Sequence, residues 1–155
     1  MKKLIPFLAL LLAAMASHGV MASLGGDVAS VESDRAHMKA AAVTRSESAL
    51  YTVHEMQTAS GTTVREFASP AGIVFAVTWK GPFKPDLRQA LGKYFQTYQE
   101  APRAQRYGHS RDVLEQPDLV VHSSGRLRAF FGTAYVPQLM PAGVSIEQLE
   151  GQSLQ

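Results

Sequence analysis

Between Val64 and Tyr98 the chain reads VREFASPAGIVFAVTWKGPFKPDLRQALGKYFQTY, and this stretch limits the folds open to it more than any other. Two β-prone apolar runs give way, at Gly81-Pro82, to residues spaced for one face of a helix. Leu87, Ala90, Leu91, Tyr94, Phe95 and Tyr98 recur at intervals of three and four, with Arg88, Gln89, Lys93, Gln96 and Gln99 on the other side. That spacing predicts a helix over residues 86–100, with Asp86 at its positive end and Pro102 just beyond its close. Ile73 to Trp79 (IVFAVTW) is apolar enough for a central strand covered on both faces. The helix can bury its stripe by lying back over that strand. Each large side chain so buried contributes on the order of 1.5–3 kcal/mol.

The flanking segments extend this unit. Leu50–Gln57 and Thr62–Ala68 read as a hairpin closed by Ala59-Ser60-Gly61, and Ser69-Pro70-Ala71-Gly72 as the turn into the next strand. Links this short demand antiparallel pairing, because parallel strands need a long crossover. Asp118–Ser123, a Ser124-Gly125 turn and Arg126–Val136 predict a second hairpin. Val28, Val31, Arg35, Met38 and Ala42 trace a narrow, Ala-rich ridge for a helix over residues 28–42, with Asp27 as its cap. Thr44–Ser48 reads as a polar connector, Ala101–Asp112 as a basic loop, Ile146–Leu149 as a short helical turn and the last residues as a loose tail. The order α-βββ-α-ββ predicts an α+β domain, an antiparallel sheet of about five strands with one main amphipathic helix packed on a face.

The N-terminus, MKKLIPFLALLLAAMASHGVMAS, has the parts of a secretory signal: Lys2 and Lys3, an apolar run over residues 4–16, and Val20-Met21-Ala22 as a small-x-small ending. Cleavage there would make Ser23 the first mature residue; Ala14-Met15-Ala16 offers a second site, but inside the apolar run. The run is shorter than the roughly 18–20 residues a membrane span needs. The expectation is a signal peptide over 1–22, a single α+β domain over 23–155, and a periplasmic or secreted protein without stable membrane insertion. Without Lys2 and Lys3, the 15 Lys and Arg fall to 13, against 13 Asp and Glu. The pI of about 9.0 is thus partly a property of the leader, and bulk attraction to nucleic acid or anionic membrane is not expected. The chain has no cysteine, which excludes disulfides, thiolate metal sites, Cys nucleophiles and an N-terminal lipidated Cys. Stability must come from one apolar core.

Few residues suggest chemistry. There is no phosphate-binding loop, since the position five before Gly92-Lys93 that would need glycine is Leu87, and no GxGxxG, GxSxG or HExxH. His37, His54, His109 and His122 have no metal-ligand spacing within one expected element, so no metal or cofactor is expected. His54-Glu55 lies opposite Arg65-Glu66 in the first hairpin, and His54, Glu55 and Glu66 could form an acid/base group. Cross-strand ion pairs on a half-exposed sheet account for the same residues more simply. His122 and Ser123 do not make a base and nucleophile, because neighbours on a strand point to opposite faces. Arg103, Arg106, Tyr107, His109 and Arg111 crowd one loop, with Arg126 and Arg128 soon after. Guanidinium forks suit phosphate or carboxylate, although Asp112, Glu115 and Asp118 could simply balance them. Trp79, Phe83 and Tyr94 suit a core at least as well as a binding groove.

Several short stretches carry a family likeness. They are Leu24-Gly25-Gly26, Val64-Arg65-Glu66-Phe67, Gly72 with Val74-Phe75-Ala76-Val77-Thr78-Trp79, and Gly81-Pro82 with Pro85-Asp86-Leu87. Leu91-Gly92 with Tyr94-Phe95, Gly132 with Ala134-Tyr135-Val136-Pro137, and Pro141 with Gly143-Val144 complete the set. Together they resemble the bacterial exported family known as domain of unknown function 2844, over nearly the whole mature chain. The resemblance implies export and offers no catalytic residue to carry over. The function expected is a non-enzymatic, envelope-associated binding module for another envelope protein or an anionic ligand, with Arg103, Arg106, Tyr107 and Arg111 in contact. The alternatives are a small envelope hydrolase using His54, Glu55 and Glu66, and a subunit that assembles through an exposed sheet edge.

Overall fold

The computed structural model describes residues 23–31, 36, 39, 43–102 and 111–154. Seven strands form one antiparallel sheet in the order β1-β2-β3-β4-β7-β6-β5. They are β1 (Val43–Glu47), β2 (Thr52–Gln57), β3 (Thr63–Ala68), β4 (Val74–Gly81), β5 (Arg111–Gln116), β6 (Leu119–Arg126) and β7 (Ala129–Tyr135). Helices α1 (Leu87–Leu91) and α2 (Phe95–Glu100) carry the chain from central β4 to edge strand β5, and α3 (Ile146–Leu154) lies near the C-terminus. Among the described residues no helix is long and apolar enough to cross a membrane.

The α+β class holds, but the sheet has seven strands rather than about five. The two extra strands are the edges. β1 occupies the stretch read as a polar connector; only Val43 is half-buried and the next four residues are exposed, so the strand has little alternation to betray it. Charged residues such as Arg45 and Glu47 also blunt an edge against unwanted pairing. β5 begins inside the expected basic loop, and its hairpin with β6 turns through Pro117 and Asp118. The β6–β7 turn also moves. Ser124 and Gly125 remain in β6, opposite Phe131 and Phe130, and the chain reverses at Leu127-Arg128. Gly125 is needed for close approach instead, since a Cβ there would overlap the Phe130 ring. The left-handed conformation falls to Arg128, at φ 62°.

β4 meets its expectation, with six successive buried residues from Val74 to Trp79. A shift in register opposite Phe67 and Ala68 leaves Phe75 as the extra residue of a bulge. Phe75 thereby joins Phe67 and Tyr51, with ring centroids 5.7–6.4 Å apart. The other side of the sheet packs Met56, Val64, Val77, Trp79, Val121 and Ala134 against Ala90, Leu91, Tyr94, Phe95 and Tyr98. The stripe read from the sequence is therefore the stripe that covers the sheet.

The helix expected over 86–100 is real but broken. Asp86 Oδ1 caps α1 by accepting from the Arg88 and Gln89 amides at 2.9 and 3.4 Å. A 3-10 turn over Gly92–Tyr94 then separates α1 from α2. Gly92 adopts φ 49°, ψ −122°, and a Cβ there would collide with the buried Ser23 side chain. The cause is a strap formed by Ser23–Gly26. Leu24 is fully buried, its N–H donates to Ala90 O at 3.1 Å, and the Gly25 N–H donates to Val74 O at 2.7 Å. Of the helix expected over 28–42, residues Val28–Ser30 form a 3-10 turn capped by Asp27, and most of the remainder lies outside the described residues. α3 is longer than the expected turn. Ser145 Oγ accepts from the Gln148 amide while Gln148 Oε1 accepts from the Ser145 amide, a reciprocal cap that starts the helix. Val144, Ile146 and Leu149 then pack on the second sheet face beside Phe67 and Phe75.

Candidate functional site

Strand register decides which of the chemistry-bearing residues can meet. His54 pairs with Glu66, and Glu55 pairs with Arg65. Since side chains alternate along a strand, His54 and Glu66 share the helix-covered face with Met56 and Val64. Glu55 lies on the opposite face, where its Oε2 is 2.5 Å from Arg65 Nε. The structure thus brings His54 and Glu66 together and separates Glu55 from both. His54 and Glu66 are 8% and 0% exposed. Burial, and then the Arg45 guanidinium on β1, push the His54 imidazole below its ordinary pKa, because both disfavour the charged ring. A cavity of about 360 Å³ opens beside His54, lined also by Arg45, Thr52 and Ala68, and Glu66 is not on its wall.

Arg103, Arg106 and Tyr107, with His109, lie outside the described residues. Arg111 is the first residue of β5 and is exposed. It sits on the rim of another concavity of about 360 Å³, lined by Val113, Glu115, His122, Ser124, Phe131, Thr133 and Glu150. Cross-strand pairing builds this site. Arg111, Ser124 and Phe131 form one row across β5, β6 and β7; Val113, His122 and Thr133 form the next. These rows lie on the sheet face partly covered by α3, which supplies Glu150 at one end. Phe131 is 51% exposed although it is large and apolar.

The electrostatics of the concavity run from basic to acidic. No described carboxylate pairs with Arg111 at one end. At the other, His122 Nε2 is 3.4 Å from Glu115 Oε1 and its Nδ1 is 3.9 Å from Glu150 Oε1. The His122 ring thus lies between a carboxylate of β5 and one of α3, and its Nε2 makes no hydrogen bond among the described residues. Burial, with the charges of Glu115, Glu150 and Glu147, also raises the pKa of nearby Tyr135. As expected, Ser123 points to the other face, where it is buried. Trp79 and Tyr94 belong to the core, while Phe83 is 51% exposed. Among the described residues no group of three or more His, Asp or Glu side chains gathers as metal ligands.

Sequence reasoning missed Glu115, His122, Phe131 and Glu150 as a group. The signal was the period-two placement of Arg111, Val113 and Glu115, but it is useful only with the correct partner strand. A turn at Ser124-Gly125 would set His122 opposite Leu127, whereas the actual turn sets it opposite Thr133. No curated protein and no solved structure matches the chain. The family profile described as "Protein of unknown function (DUF2844)" matches residues 20–149, and the chain belongs to that family.

Proposed function

We propose that the protein is an exported, non-enzymatic binding module that takes an anionic ligand in the concavity on β5–β7. Export is supported by the charged, apolar and small-x-small segments of residues 1–22, which lie almost wholly ahead of the family match at residues 20–149. The observation that carries the binding site is the pairing of a half-exposed Phe131 with an Arg111 guanidinium that meets no described carboxylate. Such a site suits a ligand with an oxyanion at one end and an apolar body lying along Phe131 and Val113. Arg103, Arg106 and Tyr107 are kept as further contacts on their nearness in sequence alone. Amide NMR spectra recorded while titrating decanoate, with decanol as the uncharged control, test the proposal. Shifts should concentrate on Arg111, Val113, Ser124 and Phe131 and should largely vanish in Arg111→Ala. Diffuse shifts, or equal responses to decanoate and decanol, refute it.

A second reading, a small envelope hydrolase, draws on the buried His54 and Glu66 as cross-strand neighbours on one face, with His54 on the wall of a cavity. It predicts turnover of cell-wall, ester or phosphate substrates that is lost in Glu66→Gln. Glu55, paired with Arg65 on the opposite face, takes no part in it. An activity screen with metal analysis of the purified protein separates this reading from the first.

A further inference from the structure

The β6–β7 hairpin breaks two local rules at one place. A short hairpin turn ordinarily uses Asn-Gly or a similar pair, because the left-handed conformation is costly for other residues. Here the turn is Leu127-Arg128, with Arg128 at φ 62°. Leu127 is 96% exposed, an apolar side chain held out in water at the tip of a β-ribbon. Arg126 and Arg128 flank it, both exposed and neither paired with a described carboxylate. Departures from local rules without a packing gain concentrate where a surface has another use.

The surroundings add to both features. Phe131 lies two residues beyond the hairpin's closing Arg126–Ala129 pair and is 51% exposed. Phe83, also 51% exposed, follows the end of β4, where Gly81 pairs with Phe130. Arg111 starts β5 at this same end, opposite Ser124. The nearby acid, Asp112, is matched by Lys84 Nζ at 3.1 Å. Glu115, Glu147 and Glu150 gather instead toward the other end of the sheet, around Tyr135. Glu115 lies four positions beyond Arg111 along β5, a run of about 13 Å. Among the described residues, the β5–β7 side of the sheet is therefore polarised, with a basic and apolar end and an acidic end, although the charges of residues 23–155 balance.

We infer that the Leu127 hairpin docks this protein on an anionic phospholipid surface, Leu127 entering among the acyl chains and Arg126 and Arg128 meeting headgroup phosphates. Charge complementarity selects this occupant. A negative surface attracts the basic end, repels the acidic end, and so turns the tip toward the bilayer. The contact is peripheral and reversible, because a single side chain anchors it. It stands independently of the ligand proposed for the concavity, although it would hold the Arg111 end of that site near the headgroups.

Vesicle flotation tests the inference, using protein recovered from cells with its N-terminus read by mass spectrometry, so that residual leader is not what binds. Vesicles of equal parts phosphatidylglycerol and phosphatidylcholine should retain the protein at low salt and release it at high salt; pure phosphatidylcholine should not retain it. Leu127→Ser should weaken partitioning about ten-fold, and Arg126→Gln about five-fold. Arg128→Gly removes a guanidinium and relieves the strained turn, so it should bind more weakly through the first and melt no lower than the parent through the second, which separates docking from folding. In Leu127→Trp, emission should shift to the blue with anionic vesicles only. Absence of retention, retention indifferent to Leu127→Ser, or equal binding to neutral vesicles overturns the inference. So does Leu127-dependent association with a protein, or with a second copy of this chain, without vesicle binding.

Discussion

Replacing Gly92 by alanine should destabilise the fold by about 3–5 kcal/mol, one of the largest effects open to a single methyl group in this chain. Two costs combine. At φ 49°, ψ −122° an L-residue is strained by about 1–3 kcal/mol. The new Cβ would also overlap Ser23 Oγ and Cβ, so the strap has to move. Moving it withdraws the fully buried Leu24 from the core, with about 1.5–3 kcal/mol at stake. Gly143→Ala is the control for strain alone. Its φ is 89°, and the nearest atom to a Cβ is Leu50 Cδ1 at 3.5 Å. Urea unfolding followed by Trp79 fluorescence measures both variants, and Ser23→Gly completes a double-mutant cycle. In the Ser23→Gly background the collision is gone, and Gly92→Ala should cost no more than Gly143→Ala does, a coupling of about 2 kcal/mol. Equal costs for the two glycine variants in the parent chain, or no coupling to Ser23, would show that the strap does not break the helix.

Stability should fall as pH drops below about 6.5. Burial and Arg45 lower the folded-state pKa of His54, so the unfolded chain binds more protons in that range. The contribution is fully present above the unfolded value and is lost as pH falls toward the folded one; the drop in urea midpoint from neutral to mildly acidic pH should shrink in His54→Gln. A double-mutant cycle on Arg65 and Glu55, which form a part-exposed pair, should return a coupling of no more than about 1 kcal/mol. Ser145→Ala removes half of the reciprocal cap on α3 and should cost about 1 kcal/mol in thermal unfolding. Gly151→Ala, in the same helix with nothing within 4 Å of the new Cβ, should gain about 1 kcal/mol. A loss there would mean that α3 is not helical at Gly151.

Local pattern was enough wherever one segment carried its own signal. The apolar run of β4 and the stripe from Leu87 to Tyr98 each announce a burial surface, and the two cover one another because neither has another way to leave water. The α+β class followed from these, as did the first hairpin and the opposite orientations of His122 and Ser123. The edge strands did not. β1 buries almost nothing, so its sequence has no period to read, and its strand state depends on backbone hydrogen bonds offered by β2. The break at Gly92 was equally hidden, since its cause is Ser23, which is remote in sequence. The β6–β7 turn was misplaced because glycine has two uses. Gly125 gives room to the Phe130 ring, while Arg128 bears the positive φ.

The same division holds for the sites. Residue types alone named His54, Glu55, Glu66 and the arginines as the groups able to do chemistry. Only register could separate Glu55 from His54 and Glu66, or gather Arg111, His122 and Phe131 around one concavity. A chain's sequence determines how much each segment gains by leaving water, which is a local sum over side chains. Which segments meet as they leave it is settled by strand pairing across the whole domain, and that pairing decides what stands beside what.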